Sequence, residues 1–566
     1  MHLTTRQCKS HRCDVHDNPA AARSSLCCGD DERENPMIGW TSTASRWQAM
    51  ALVGVLVAGL APAGAALAGQ GPPCGDRARG LDIDGGGTDI VLGFPSWDIT
   101  SEGETMQEAG MIAVLSNVVV NGAIQPPTAT TYYTAADFGI PVQTRAKFGS
   151  SVVGFSPSEP DFEGCGHLLV GAPGQDVNGV SEAGEVHLLD GWADGSLSHA
   201  WSLDQSDLPE SAGPPQPSVR FGTRLGAASI HQVAVGAPGW DSRMGDEGGI
   251  ATIAINDKEG TGHVSHWLPG QYGGDDLGGG PLVWAEADKG ATLAAGAPLA
   301  NPEGALDAGA VAFTTFTDGT PTTTWLSQDS PGAAGTAETR DNFGASIATT
   351  KDGDGREVWL IGAPGEDIGS TQSAGMVGVA RGGASSGPGT PPVMTEDYLT
   401  QSTPRIAGTP ETPDSFGAAL ALGRMNPGSR GEHLAVGASS EAIGAVNGVG
   451  VVSVNSVSVS NGSVKPTATV ARVWHQGSPG VPGTLEAGDN FGATVIAQPV
   501  WVKGQLRHLG VVTSPSDDIG EFVNAGRATA GWFGDAGPKV DLIPSQLQNF
   551  AGTDMVVATY PARTTG

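Results

Sequence analysis

Apolar residues along this chain come in short runs closed by small-residue turns, not at the three-to-four spacing of an amphipathic helix. The clearest example is residues 357–379, EVWLIGAPGEDIGSTQSAGMVGV. An apolar run meets Gly362-Ala363-Pro364-Gly365, an acidic pair Glu366 and Asp367 follows, and Ala374-Gly375 opens a second apolar run. This predicts two strands joined by a loop. Six further stretches repeat it: IVLGFPSWD at 90–98, LLVGAPGQD at 168–176, VAVGAPGWD at 233–241, LAAGAPLAN at 293–301, LAVGASSEA at 434–442 and GVVTSPSDD at 510–518. The copies lie 60 to 78 residues apart, a period that suits four short strands plus loops.

Each period keeps one order of parts. Phe-Gly comes first, at Phe148-Gly149, Phe221-Gly222, Phe343-Gly344, Phe416-Gly417 and Phe491-Gly492, with Leu277-Gly278 as a weakened copy. A strand, a polar loop and the strand ending in Gly-Ala-Pro follow, then a strand opening with Ala-Gly. The fourth strand carries an aromatic residue and a Gln, such as Trp201 and Gln205, Trp325 and Gln328, Tyr398 and Gln401, or Trp474 and Gln476. A connector then ends in Glu-x-x-Asp before the next Phe-Gly, as at Glu338 and Asp341, Glu411 and Asp414, Glu486 and Asp489. Phe can fill space between neighbouring units and Gly lets backbones approach closely, so these marks read as structural first.

The expected fold is all-β: a seven-bladed β-propeller of four-stranded antiparallel blades. The first copy lacks a Phe-Gly strand ahead of it, while the last runs over into DMVVATYP from 554. That surplus predicts a ring closed by a C-terminal strand inserted in the first blade, which protects sheet edges.

Composition agrees: 86 Gly and 39 Pro in 566 residues fit many turns. The formal net charge of -31 repels phosphates and anionic lipid, so nucleic acid and membrane surfaces are not expected as partners, whereas metal cations and neutral ligands suit it. Residues 46–68 place Arg46 before an apolar run that ends in Ala66-Leu67-Ala68. Residues 37–68 are therefore expected to be a signal peptide, residues 1–36 a gene-model extension, and 69–566 a secreted, extracellular, monomeric propeller without a membrane span. Of six cysteines, Cys74 and Cys165 remain after cleavage, and a disulfide between them is expected.

Phe-Gly, an Asp/Gly-rich loop and Gly-Ala-Pro, seven times over, resemble the FG-GAP repeats of the integrin alpha-chain N-terminal β-propeller and its bacterial relatives. The resemblance covers essentially all of residues 80–560. It implies calcium in the loop between the first and second strands of some blades, where alternating carboxylates around a Gly supply hard oxygens. The best match is TKDGDGREV at 350–358, with Asp352 and Asp354 as ligands, though Thr350 and Val358 hold the outer ligand positions. In the first copy the ligands would be Asp82, Asp84 and Asp89 in a loop one residue short; Asp161 and Glu163 offer a poorer set.

The resemblance also implies a ligand-facing surface on the loops after Gly-Ala-Pro, which carry Trp97 and Asp98, Trp240 and Asp241, Glu366 and Asp367, and Asp517 and Asp518. A Trp face on a sugar ring beside a carboxylate makes a glycan contact. The competing reading has the acidic residues capping their own turns and the Trp rings filling space between blades. No catalytic constellation emerges: Gly383-Ala384-Ser385-Ser386-Gly387 lies in a Gly/Ser/Pro stretch without a strand before it, and His263 and His266 read as an exposed pair. The expectation is a secreted, non-catalytic binding or adhesion propeller, not an enzyme, that recognises an extracellular glycan or protein. The alternative is a secreted propeller enzyme such as a glycan hydrolase or lyase.

Overall fold

The computed structural model describes residues 81–558 apart from short interruptions, the longest at 156–164, 383–389, 426–431, 534–538 and 544–554. The expected signal peptide, the stretch ahead of it, Cys74, Asp161, Glu163 and the 383–387 motif lie outside the described residues. Among the described residues no helix is long and apolar enough to cross a membrane.

The chain folds into seven small antiparallel sheets, one per repeat, in a β-propeller. In the fifth blade the strands run Ser346–Lys351, Glu357–Ala363, Met376–Arg381 and Val393–Leu399, each paired with the next. The strand ending in Gly-Ala-Pro is buried along nearly its whole length, because both of its faces meet neighbouring blades. Its continuous apolar run follows from that double coverage. Outer strands such as Thr320–Leu326 touch protein on one side only and turn polar residues to solvent.

Seven apolar cores fill the seven seams between successive blades. The Phe of Phe-Gly sits inside them: Phe148, Phe221, Phe343, Phe416 and Phe491 are all buried, as is Leu277 in the weakened copy. Phe416, for instance, joins Val377 and Val379 of the fifth blade to Leu434 and Val436 of the sixth. Burying a Phe side chain stabilises by roughly 1.5–3 kcal/mol, so each seam has an anchor.

The two glycine marks explain each other. A Cβ on Gly362, the Gly of one Gly-Ala-Pro, would lie 2.1 Å from the carbonyl oxygen of Gly417, the Gly of the next blade's Phe-Gly. Gly171 meets Gly222, and Gly437 meets Gly492, at the same 2.1 Å. Backbone therefore crosses backbone at every such seam, and no side chain fits.

Closure follows the sequence expectation. Val556–Val557 pairs antiparallel with Thr88–Phe94, placing Val557 opposite Leu92 and Val556 opposite Gly93. The seam it completes mixes Ile90 and Leu92 of the first blade with Leu509, Val511 and Val540 of the last.

Candidate functional site

The first blade's loop brings three carboxylates together. Asp82, Asp84 and Asp89 each present an oxygen within 4.8 Å of the others, so the group is able to hold a metal ion. They lie just before and at the start of the strand Thr88–Phe94. Asp89 is fully buried, and its two oxygens accept the backbone N–H groups of Ile83 at 2.7 Å and Asn117 at 2.8 Å. Asp84 accepts from the N–H of Gly86 at 2.7 Å and from the Asn117 side-chain amide at 3.2 Å. Burial pushes the Asp89 carboxyl well above the usual range; the two N–H bonds pull it down, while Asp84 and Asp82 push it further up. Three carboxylate oxygens facing one another suit a hard metal cation.

The fifth-blade loop behaves differently. Asp352 folds back on its own turn, one oxygen accepting the N–H groups of Asp354 at 3.0 Å and Arg356 at 2.9 Å, and its other oxygen is buried without a partner. Among the described residues no third carboxylate or imidazole joins Asp352 and Asp354. The copy whose sequence fits the resemblance best is thus not the one whose side chains converge.

The loops after Gly-Ala-Pro divide their residues by position. The second acidic residue caps its own loop: Asp98 accepts the N–H of Glu108, and Asp367 that of Ser373, each at 2.8 Å. Both remain exposed, as does Asp241. The first residue of the pair turns inward. Trp240 is buried, stands edge-on to Trp267 at 5.2 Å and donates its indole N–H to the Ala212 carbonyl at 2.9 Å. Trp97 is half-buried against the closing seam. Glu366 is buried and accepts a hydrogen bond of 2.5 Å from the side-chain amide of Gln328 in the preceding blade.

That last contact is one of three. Gln401 donates to Glu441 at 2.5 Å, and Gln476 donates to Asp517. The Asp of each Glu-x-x-Asp connector joins them, since Asp341, Asp414 and Asp489 are all buried. Burial first of all pushes Glu366 and Glu441 up to about 7 and Asp341 and Asp414 to about 6. Asp489 goes to about 7 for the same reason. The sequence displayed every member of these sets, but not that the Gln of one repeat faces the acid of the next.

A further cluster had no sequence signal, because its members alternate along two strands of the second blade. Ser202 lies 2.8 Å from His187 Nδ1 and 2.9 Å from His199 Nε2. Glu185 stands 3.9 Å from His187 Nε2. Burial pushes Glu185 up to about 7 and His187 down to about 3, so His187 is a neutral imidazole. A half-buried hydroxyl between two imidazoles, with a carboxyl behind, has the parts of an activated nucleophile. Cys165 is buried and disulfide-bonded.

No family model matches the chain, and no curated protein does. Solved structures resemble it at low identity and low TM-score. The periplasmic gluconolactonase of Pseudomonas aeruginosa is 11% identical over 83% of this chain and 99% of its own, with a TM-score of 0.40. A 6-phosphogluconolactonase-type protein of Bacteroides fragilis is 8% identical over 83% and 96%, also at 0.40. Sqt1 of Saccharomyces cerevisiae is 9% identical over 76% and 79%, at 0.37. With lactonases by description among these neighbours, the expectation that this chain is not an enzyme is withdrawn.

Proposed function

We propose that the chain is a secreted propeller, related to the FG-GAP proteins, that holds calcium in its first blade and engages an extracellular glycan or protein on its loop rim. The convergence of Asp82, Asp84 and Asp89 carries the calcium part. The ligand part rests on Asp98, Asp241 and Asp367, which recur at one position of three blades, hence on one rim, and stay exposed. The buried ring of Trp240 is a spacer in this reading, and half-buried Trp97 the aromatic contact.

Calcium titration by calorimetry tests the first part: Asp84→Asn should lose the first-blade site, and an unchanged stoichiometry rejects it. A glycan and matrix-protein array tests the second. Trp97→Ala should abolish a hit without unfolding the protein, and a hit that persists rules out this surface.

Hydrolysis of the bound ligand is the second reading, favoured by the Ser202 cluster. Ser202 would attack an ester or lactone carbonyl while His199, the more exposed imidazole, takes its proton and returns it to the alcohol oxygen as the acyl–oxygen bond breaks; water then cleaves the acyl-Ser202 ester and frees the acid. Turnover in an ester and lactone screen that Ser202→Ala removes supports it; turnover indifferent to Ser202 moves the chemistry elsewhere.

A further inference from the structure

Three successive seams hold a side-chain acceptor at one repeat position. Gly362, Gly437 and Thr513 are equivalent, because each stands opposite the residue two places beyond the glycine of Phe-Gly: Ser346, Ala419 and Thr494. Five residues before them come Glu357, Glu432 and His508. Each accepts a hydrogen bond from the preceding blade. Glu357 takes it from the Thr292 hydroxyl at 3.2 Å, Glu432 from the Thr350 hydroxyl at 2.7 Å, and His508 Nδ1 from the Arg424 backbone N–H at 2.9 Å. The His508 backbone N–H donates in return to the Arg424 carbonyl at 3.2 Å, so one pair of residues clasps the sixth and seventh blades twice.

The three acceptors differ in what a proton does to them. A carboxylate that gains a proton keeps an oxygen able to accept, so the threonine clasps survive acid. In a neutral His508 whose Nδ1 accepts, the ring hydrogen sits on Nε2. An added proton therefore goes to Nδ1, where it turns the acceptor into a donor facing the Arg424 N–H. That bond is then lost.

The ring has no space in which to turn away, and its new charge meets no opposite one. His508 is buried, and a Cβ built on Gly423 would stand 2.5 Å from its Cγ. His433 lies opposite Gly423 in the sixth-blade sheet, which puts its side chain on the face that Gly423 turns to His508. His433 is buried as well, with no partner on Nδ1. The charges acting on the two imidazoles are Arg424 on His508 and Arg472 on His433, both positive. In the seventh blade Pro499 stands opposite His508, and the adjacent Arg507 bonds Gln505. Glu432, beside His433 in the chain, is bonded by Thr350 of the fifth blade. Burial first, and Arg424 after it, hold His508 down at about 4.

We infer that His508 makes the seam between the sixth and seventh blades a proton-operated joint: acid breaks the Arg424–His508 clasp and loosens this seam, while the Thr292–Glu357 and Thr350–Glu432 clasps hold. The seventh blade's other side is the seam completed by the two-residue strand Val556–Val557, so the joint opens beside the closure of the ring. The sign follows from a proton bound less tightly in the folded chain than in the unfolded one. The contribution of the clasp is complete above about pH 6.5 and is lost as the pH falls through about 4.

His508→Gln tests this, because its amide oxygen accepts from the Arg424 N–H and does not titrate. In thermal melts between pH 7 and pH 4 the wild type should lose melting temperature relative to the variant, with the gap moving steadily in the variant's favour below about pH 6. A gap that stays constant overturns the inference. Hydrogen exchange of the wild type, corrected for intrinsic rates and compared at pH 7 and pH 4, gives a reading that needs no variant. Peptides containing Arg424 and His508 should lose protection in acid while those containing Thr292, Thr350 and Glu357 keep theirs. Equal changes at all three clasps, or none at Arg424 and His508, overturn the inference even where the variant fails to fold.

Discussion

The seam between the sixth and seventh blades and the seam between the fifth and sixth share a Gln, a connector Asp and a Phe-Gly crossing, yet among the described residues the former has a guanidinium paired with its buried acid and the latter does not. Arg527 pairs with Asp517 and Asp541, and Gln476 donates to the same Asp517, whereas Gln401 donates to Glu441 and no ion pair to Glu441 or Asp414 is found among the described residues. The apolar contacts that join blades are repeated around the ring, while the residue after the Ala-Gly mark varies, Arg527 in the last seam and Met376 and Val451 in the two before it. Packing and charge are thus separate features of a seam: glycine contacts and Phe anchors recur, and the ion pair does not.

Removing the guanidinium breaks the comparison most severely. Arg527→Met leaves Asp517, which is fully buried, and Asp541 without their partner. Stripping one member of a buried ion pair costs about 3–5 kcal/mol. Denaturant unfolding should show that loss. A variant as stable as the wild type would mean that Arg527 balances nothing.

The glycine crossings should respond alike wherever they are tested. Gly362→Ala and Gly437→Ala each place a methyl group 2.1 Å from a backbone oxygen of the next blade, the first at the seam without the arginine and the second at the seam with it. Overpacking of this kind costs about 1–3 kcal/mol. Equal losses in thermal melts would confine the difference between seams to charge; unequal losses would show that the backbone crossings differ too.

Acidity sharpens the comparison from the other side. Burial raises Asp489 to about 7, the Glu486 N–H lowers it, and Asp517 and Glu486 raise it again. Its unfolded value lies near 3.9. Between those values the folded chain binds more protons than the unfolded one, so this contribution is complete below about pH 4 and is lost as the pH rises through 7. The slope for one proton is at most about 1.4 kcal/mol per pH unit. Asp489→Asn keeps an acceptor for the Glu486 N–H and should remove that slope from a stability curve taken between pH 5 and 8. An unchanged curve would place the proton on another group.

How far the sequence could be read follows from which contacts are local. Phe416-Gly417, Gly362 and the surplus strand near Val556 announce blades, crossings and closure, because each mark recurs with a period and a fixed order. The first-blade carboxylates were visible as candidates, but their rank was not. Asp352 and Asp354 match a ligand pattern better by spacing, whereas Asp82, Asp84 and Asp89 converge because Asn117, nearly thirty residues beyond Asp89, holds two of them through its backbone and side-chain amides. Gln328 and Glu366 lie 38 residues apart in different blades, so no local rule pairs them. Ser202 and His187 meet across two strands of one sheet, where the pairing register decides and composition is silent.

The smallest expected effect decides what the rim acids do. Asp367 and Asp518 occupy the same position in the fifth and seventh blades, and each accepts a backbone N–H six residues on, at 2.8 Å from Ser373 and 2.7 Å from Asn524. A hydrogen bond of this kind contributes about 0.5–1.5 kcal/mol net. Asp367→Ala and Asp518→Ala should therefore lose similar small amounts in denaturant melts, whether or not their seam contains an arginine, because the capped turn lies outside the buried carboxylate cluster. Where a glycan or protein ligand is found by array, the same variants separate two roles for one carboxylate. Retained affinity with the small stability loss makes these residues turn caps alone. Lost affinity in Asp367→Ala, beside an unaffected Asp518→Ala, places the ligand over the fifth blade, since Asp367 is exposed on the rim and Asp518 is half-buried.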